Sequence, residues 1–295
     1  MNQAAKLRAL LAEDRCHIMP CCFDALSAKL IAQEGYDLTF MSGFAASAHR
    51  IGEPDLGLMS YGEVLDQAHN IAGSIDIPLI GDGDTGYGNA MNVRRTVTGF
   101  ARAGCAAVMI EDQVAPKRCG HTPGKEVVGR DEAYDRIRAA VDAREALRAK
   151  GGDILILART DARHDHGLAE AITRADRFAE LGADILFVEA PQNEKEMLEI
   201  CQSLPGPQMA NIVEGGYTPD LPNTVLHEIG YSFAAYPLSL MAAAMQAMIT
   251  TLRAMKNDQR PGLIDFAELR RRVGFDDYYE TSANYSTSKR DHSEV

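Results

Sequence analysis

The chain has 295 residues, of which 46% are apolar, with 42 acidic and 30 basic side chains for a formal charge of −12. That length suits one α/β barrel of ~250 residues or two domains of ~150 each, and the apolar share supplies a large core. The acidic balance argues against a nucleic-acid surface, which needs clustered Lys and Arg, but leaves room for a locally cationic site that takes an anionic substrate. The six cysteines, Cys16, Cys21, Cys22, Cys105, Cys119 and Cys201, form no C-x-x-C pair, which excludes a zinc ribbon or thioredoxin-type site. The N-terminus runs into an amphipathic helix pattern without an apolar signal core. The apolar stretch 238–252 is shorter than the ~20 residues that span a bilayer. The expectation is a cytoplasmic protein with reduced thiols and no membrane partner.

In chain order, short apolar runs alternate with helix-period segments. Strands are predicted at 17–20, 38–41, 79–81, 107–110, 154–158, 185–188, 208–210 and 232–235. Helices are predicted between them at 24–34, 61–71, 91–103, 130–149, 168–181, 194–203 and 223–229, with the eighth at 238–255. Ser60 and Glu63 form a capping box, and Gly182 suits a helix C-cap. Continuous apolar strands point to a parallel sheet buried on both faces. Eight βα units without a Pro/Gly/Ser-rich linker favour a single parallel (β/α)8 barrel over residues 1–265, followed by a helical extension and polar tail at 266–295. A doubly wound open sheet is the competing fold, disfavoured because no Gly-x-Gly-x-x-Gly follows the first strand.

Barrel chemistry lies at the C-terminal ends of the strands. The third strand runs into Asp82-Gly83-Asp84, the fourth into Glu111-Asp112, the fifth into Arg159-Thr160-Asp161, the sixth into Glu189 and the seventh into Asn211. Asp82 and Asp84, beside glycines that allow close approach, form the metal candidate: Mg²⁺ needs only one or two carboxylates plus water and substrate oxygens. A solvated Asp-Gly turn is the alternative for that pair in isolation. The loop Lys117-Arg118-Cys119-Gly120-His121 sets a thiol among cations, which lowers its pKa and suits it to proton transfer. His164 and His166 flank Asp165 before Gly167, a pattern read as a turn rather than a zinc site.

Asp82-Gly83-Asp84-Thr85-Gly86-Tyr87-Gly88, Glu111-Asp112-Gln113, Lys117-Arg118-Cys119-Gly120-His121, Arg159-Thr160-Asp161-Ala162, Phe187-Val188-Glu189-Ala190-Pro191 and Ala210-Asn211 occur in that order. Together they resemble the isocitrate lyase and phosphoenolpyruvate mutase superfamily, over residues 24–255. The intact Lys-Arg-Cys-Gly-His loop is similar to that of the lyase branch; the mutases replace its cysteine segment. Within the branch, Asp161-Ala162-Arg163 and Glu214-Gly215-Gly216 resemble the 2,3-dimethylmalate lyases and petal death protein, ahead of the 2-methylisocitrate lyases. Ser42-Gly43-Phe44-Ala45 departs from the Ser-Gly-Gly-Gly of the latter.

The resemblance implies a direct Mg²⁺ ligand at Asp82, with Mn²⁺ as a substitute metal, and groups holding metal-bound water at Asp55, Asp84 and Glu111. It implies a catalytic acid at Cys119 with Lys117, Glu111 and His121 around it. Substrate contacts are implied at Ser42, Gly43, Phe44, Arg159, Glu189 and Asn211. The implied reaction is retro-aldol (Claisen-type) cleavage of a small-molecule 2-hydroxy dicarboxylate, such as 2,3-dimethylmalate to pyruvate and propionate. The alternatives are 2-methylisocitrate cleavage, oxaloacetate hydrolysis, or a catalytically inactive metabolite-binding barrel. Residues 238–255 are apolar over more than one stripe, where an outer barrel helix keeps one polar face. Relatives that exchange the last barrel helix between paired subunits resemble this pattern, which implies a homotetramer with Leu240, Met241, Met245 and Met248 in contacts.

Overall fold

The computed structural model describes residues 2–118, 120 and 124–285. Its strands are β1 (His17–Cys22), β2 (Thr39–Met41), β3 (Leu79–Asp82), β4 (Ala107–Glu111), β5 (Leu155–Thr160), β6 (Ile185–Val188), β7 (Met209–Asn211) and β8 (Phe233–Tyr236). All pair in parallel in the order β6-β5-β4-β3-β2-β1-β8-β7. A parallel bridge between Leu186 and Gln208 joins the two ends and closes the ring. The fold is therefore the predicted single parallel (β/α)8 barrel, and the open sheet is excluded.

The helices are α1 (Gln3–Leu11), α2 (Ala25–Gln33), α3 (Gly43–Arg50), α4 (Tyr61–Ala72), α5 (Ala90–Ala103), α6 (Arg130–Arg148), α7 (Ala162–His166), α8 (Leu168–Glu180), α9 (Glu194–Ser203), α10 (Asn223–Ile229), α11 (Ser239–Lys256), α12 (Phe266–Val273) and α13 (Phe275–Ser282). The chain divides into two compact units, residues 1–242 and 243–295. The first holds the barrel and the second holds most of α11 with α12 and α13. The capping box at Ser60 and Glu63 is present at the head of α4. Two short helices were not anticipated. Ser42 caps α3 by accepting from the Ala45 N–H at 3.2 Å, a bond that the Ser-Gly start of the segment concealed. His164 and His166 lie in α7, a short helix rather than a turn.

Side-chain parity positions the site. Successive strand residues point to opposite faces of the barrel wall. Met19, Cys21, Phe40, Ile80, Ala107, Met109, Leu155, Leu157, Ile185, Phe187 and Met209 pack in one cluster, the barrel interior, which Ala4 and Leu7 of α1 join. The alternate residues Cys22, Met41, Val108, Ile110, Ile156, Ala158, Leu186 and Val188 pack with Val97, Phe100, Ile137 and Phe178 of the helix layer. Counting on from the interior set by twos gives Ser42, Asp82, Glu111, Arg159, Glu189 and Asn211. The same alternation that builds the core thus turns one polar residue inward at the mouth from each of β2 to β7.

Candidate active site at the barrel mouth

A solvent-connected pocket of about 570 Å³ opens over these strand ends. Cys21, Phe40, Met109, Phe187 and Met209 are among its lining, together with Ser42, Gly43, Phe44, Asp55, Asp82, Lys117, Arg159 and Asn211. Val213, Pro237 and Leu238 add an apolar wall. Asp84, Glu111 and Glu189 are not in the lining and stand behind it, paired to groups that are. Cys119 and His121 lie outside the described residues; Arg118 and Gly120 line the pocket.

One corner is acidic around a single ammonium. Lys117 Nζ lies 2.7 Å from Asp55 Oδ2 and 2.8 Å from Asp84 Oδ1. Asp82 Oδ1 accepts from the Asp84 N–H at 3.0 Å. A Cβ at Gly43 would lie 2.3 Å from Asp82 Oδ2 and 3.4 Å from Lys117 Nζ, so the carboxylate reaches this place only because position 43 has no side chain. Burial pushes the Asp82 carboxyl up to about 6; Lys117 pulls it down, and Asp84 and Asp55 push it further up. Burial works against the Lys117 ammonium, yet Asp84, Asp55, Asp82 and Glu111 hold it well above the usual lysine range.

Arg159 organises the other corner. Its Nε and Nη2 donate to the two Asp161 oxygens at 2.8 and 2.9 Å, Nε lies 3.3 Å from Glu111 Oε2, and Nη2 lies 3.6 Å from Glu189 Oε2. Its guanidinium sits 5.2 Å from the centre of the Phe187 ring. Asn211 Nδ2 donates to Glu189 at 3.3 Å. Burial raises the Glu111 carboxyl well above its ordinary value, against the pull of Arg159. Burial also opposes ionisation of Asp161, but Arg159 and Lys125 hold it well below the usual carboxylate range.

The sequence reading placed Asp161 and Asp112 at strand ends but gave neither a role, and it did not foresee the outward-facing layer that Asp112 joins. Asp112 accepts from Thr160 Oγ1 at 2.7 Å, the Asp161 N–H at 2.9 Å and Arg174 Nη1 at 3.0 Å. Asp161 lies two residues beyond Arg159 on the same inward parity, and that spacing was the available signal. Asp112 has the opposite parity from Glu111, so adjacent acids serve different faces of the wall.

The donor set fits a hard divalent cation. Among the described residues no three His, Cys, Asp or Glu side chains gather into a metal cage, but Mg²⁺ is usually held by one or two carboxylates. Asp82 carries a charge destabilised by burial and by two neighbouring carboxylates, which a nearby cation relieves. Glu111 Oε1 is buried and accepts no hydrogen bond, leaving an oxygen for a water or ligand proton. Gly43→Ala provides a test. Its Cβ must displace the Asp82 carboxylate, so kcat/KM is expected to fall at least about tenfold and Mg²⁺ affinity to fall with it, read by steady-state kinetics and calorimetry.

The family model for phosphoenolpyruvate phosphomutase matches residues 7–256. The chain is 40% identical over 294 residues to 2,3-dimethylmalate lyase of Eubacterium barkeri, covering 98% of this chain and 100% of that protein. It is 35% identical over 285 residues to 2-methylisocitrate lyase of Aeropyrum pernix, covering 95% and 90%. Among solved structures, oxaloacetate acetylhydrolase in complex with 3,3-difluorooxalacetate superimposes with a TM-score of 0.92 at 34% identity, covering 96% of this chain and 97% of that one. With an eight-stranded parallel barrel, an acid- and arginine-lined mouth, and these matches over nearly its whole length, the chain belongs to the phosphoenolpyruvate mutase and isocitrate lyase superfamily and is a carbon–carbon lyase.

Proposed function

We propose that the enzyme cleaves 2-alkylmalates, with 2,3-dimethylmalate going to pyruvate and propionate, and that it uses Mg²⁺ bound beside Asp82. The observation that carries this reading is the split polarity of the pocket. The Asp82–Lys117 corner and the Arg159–Asn211 corner suit two carboxylates and a metal, while Phe44, Val213, Pro237 and Leu238 offer apolar surface to alkyl substituents. The 40% identity to a 2,3-dimethylmalate lyase supports the same choice. Oxaloacetate hydrolysis is the second reading, favoured by the likeness to oxaloacetate acetylhydrolase.

The cation supplies Lewis acidity for negative charge developing on the C2 oxygen. Asp82 would hold it, and Asp55, Asp84 and Glu111 would supply further carboxylate oxygens around it. Ser42, Gly43, Arg159 and Asn211 hold the substrate carboxylates and place the C2–C3 bond. As that bond breaks, the C2 hydroxyl proton passes to solvent water, the electron pair of the C2–C3 bond stays with C3, the C2 half leaves as pyruvate, and Cys119 delivers a proton to C3 of the propionate half and regains one from solvent. Lys117, Glu189 and His121 support these groups. Cleavage run in D₂O is expected to give propionate carrying a single deuterium at C2, read by NMR. Propionate without deuterium would remove the protonation step.

We also propose a cytoplasmic location, where thiols stay reduced; Cys16, Cys21, Cys22, Cys105 and Cys201 form no disulfide. No helix among the described residues is long and apolar enough to cross a membrane. We also propose a homotetramer built as a dimer of dimers with α11 exchanged. No residue of α11 is fully buried, and Met245, Met248, Leu252 and Met255 are 48–65% exposed, a run of apolar surface that calls for cover. Leu240 and Met241 are only partly exposed, and Leu240 packs on the core of its own chain. Sedimentation equilibrium at micromolar concentration is expected to give four times the chain mass; a fully active monomer would remove the exchange.

A further inference from the structure

Lys125 is a buried lysine to which the reaction above gives no task. Its side chain is 1% exposed, and a buried ammonium is costly unless it is paired and hydrogen-bonded. Two acceptors meet it: Asp161 Oδ1 at 3.1 Å and the Gly120 carbonyl at 2.5 Å. Gly120 lines the pocket, and Asp161 stands behind it, holding Arg159, which also lines it. Asp161 is wholly buried and holds the Arg159 guanidinium through two hydrogen bonds. Gly120 packs its backbone on the Arg159–Glu189 pair: a Cβ there would lie 2.5 Å from Arg159 Nη2 and 2.6 Å from Glu189 Cδ. Lys125 itself is tied to the end of β4, because the Val114 N–H donates to the Glu126 carbonyl at 2.8 Å and Gln113 bridges Val127.

We infer that Lys125 is a positioning residue for the lyase reaction: its ammonium clamps the Asp161 carboxylate to the Gly120 carbonyl and so fixes Arg159 and the Gly120 backbone as one wall of the pocket. Lys125 does not line that pocket, so its effect passes through the two groups it holds. Without the clamp, Asp161 keeps Arg159 alone as a cationic partner among the described residues, and the Gly120 carbonyl loses a charge-assisted bond. Arg159 then pivots with Asp161, and the Gly120 backbone lifts from it. A displacement on the order of 1 Å at such groups costs about 10²-fold. The inference rests on Arg159 binding a substrate carboxylate, which is part of the functional reading above.

Lys125→Met keeps the apolar stem and removes the ammonium. Its kcat/KM for 2,3-dimethylmalate is expected to fall about 30–100-fold per folded enzyme, with KM raised and kcat lowered together. Lys125→Arg, which keeps the charge and several donors, is expected to recover to within about tenfold of wild type. A purely structural lysine would lower the unfolding midpoint and leave both kinetic constants of the folded fraction unchanged; that result overturns the assignment. Should Lys125→Met not fold, Lys125→Gln carries the same comparison, and failure of both to fold makes Lys125 a folding residue and also overturns it. If wild-type enzyme turns over no 2-alkylmalate, the substrate reading falls. Lys125 is then judged by calorimetry with oxalate and Mg²⁺: affinity at least tenfold weaker in Lys125→Met upholds it, and equal affinity overturns it.

Discussion

Asp82→Asn is expected to abolish turnover while leaving the metal-free fold at least as stable as wild type. The loss follows from the proposed metal role and amounts to several kcal/mol of barrier, about 10³-fold or more. The stability follows from burial. Asp82 is 6% exposed, and its folded-state pKa of about 6 lies above the ordinary 3.8 because burial disfavours the charge. A carboxyl raised in this way destabilises the native state above its folded pKa; the penalty vanishes below the unfolded value, and stability is regained as pH falls from about 6 toward 4. Two units correspond to a penalty on the order of 1–3 kcal/mol, which the neutral amide avoids. Asn keeps an oxygen for the Asp84 N–H. Thermal unfolding in chelator should give the variant an equal or higher midpoint at pH 7.5, with the difference shrinking at pH 5. Retained turnover with chelator present would remove the metal from the account.

Cys119→Ser is the second large effect. The residue lies in sequence between Arg118 and Gly120, both of which line the pocket. A serine hydroxyl is a far weaker acid than a thiol, so protonation of the C3 carbon should slow by about 10²–10⁴-fold. KM should change little, because the oxygen replaces a group that acts on the proton and not on the carboxylates. The expected result is a kcat effect in rapid-quench and steady-state assays alike. Near-normal turnover would reassign the acid.

Much of the site was legible because a parallel strand exposes its register in the sequence. Once Ile80, Met109, Leu157, Phe187 and Met209 are taken as interior, the count by twos reaches Asp82, Glu111, Arg159, Glu189 and Asn211 without further information. The predicted strands nevertheless stopped short of Asp82, Glu111, Arg159 and Asn211, because hydropathy ends a run at its first polar residue. The ladder does not: Asp82 still pairs with Met109, and Glu111 with Arg159. Helix α3 was hidden for a related reason, since Gly43 at its first turn disfavours a helix by propensity while the close approach of Asp82 demands it. The supporting layer was not legible. Lys125 and Asp161 are 36 residues apart in sequence, as Arg174 and Asp112 are 62 apart, and no local pattern relates such pairs. Their partnership exists only after the barrel closes.

The most direct test of the central claim is a product assay with Mg²⁺ across 2,3-dimethylmalate, 2-methylmalate, 2-methylisocitrate and oxaloacetate, scored by kcat/KM. The account predicts pyruvate from the 2-alkylmalates, with 2,3-dimethylmalate the best substrate and propionate its second product. Oxalate and acetate from oxaloacetate as the fastest reaction, or a preference for 2-methylisocitrate, would contradict it.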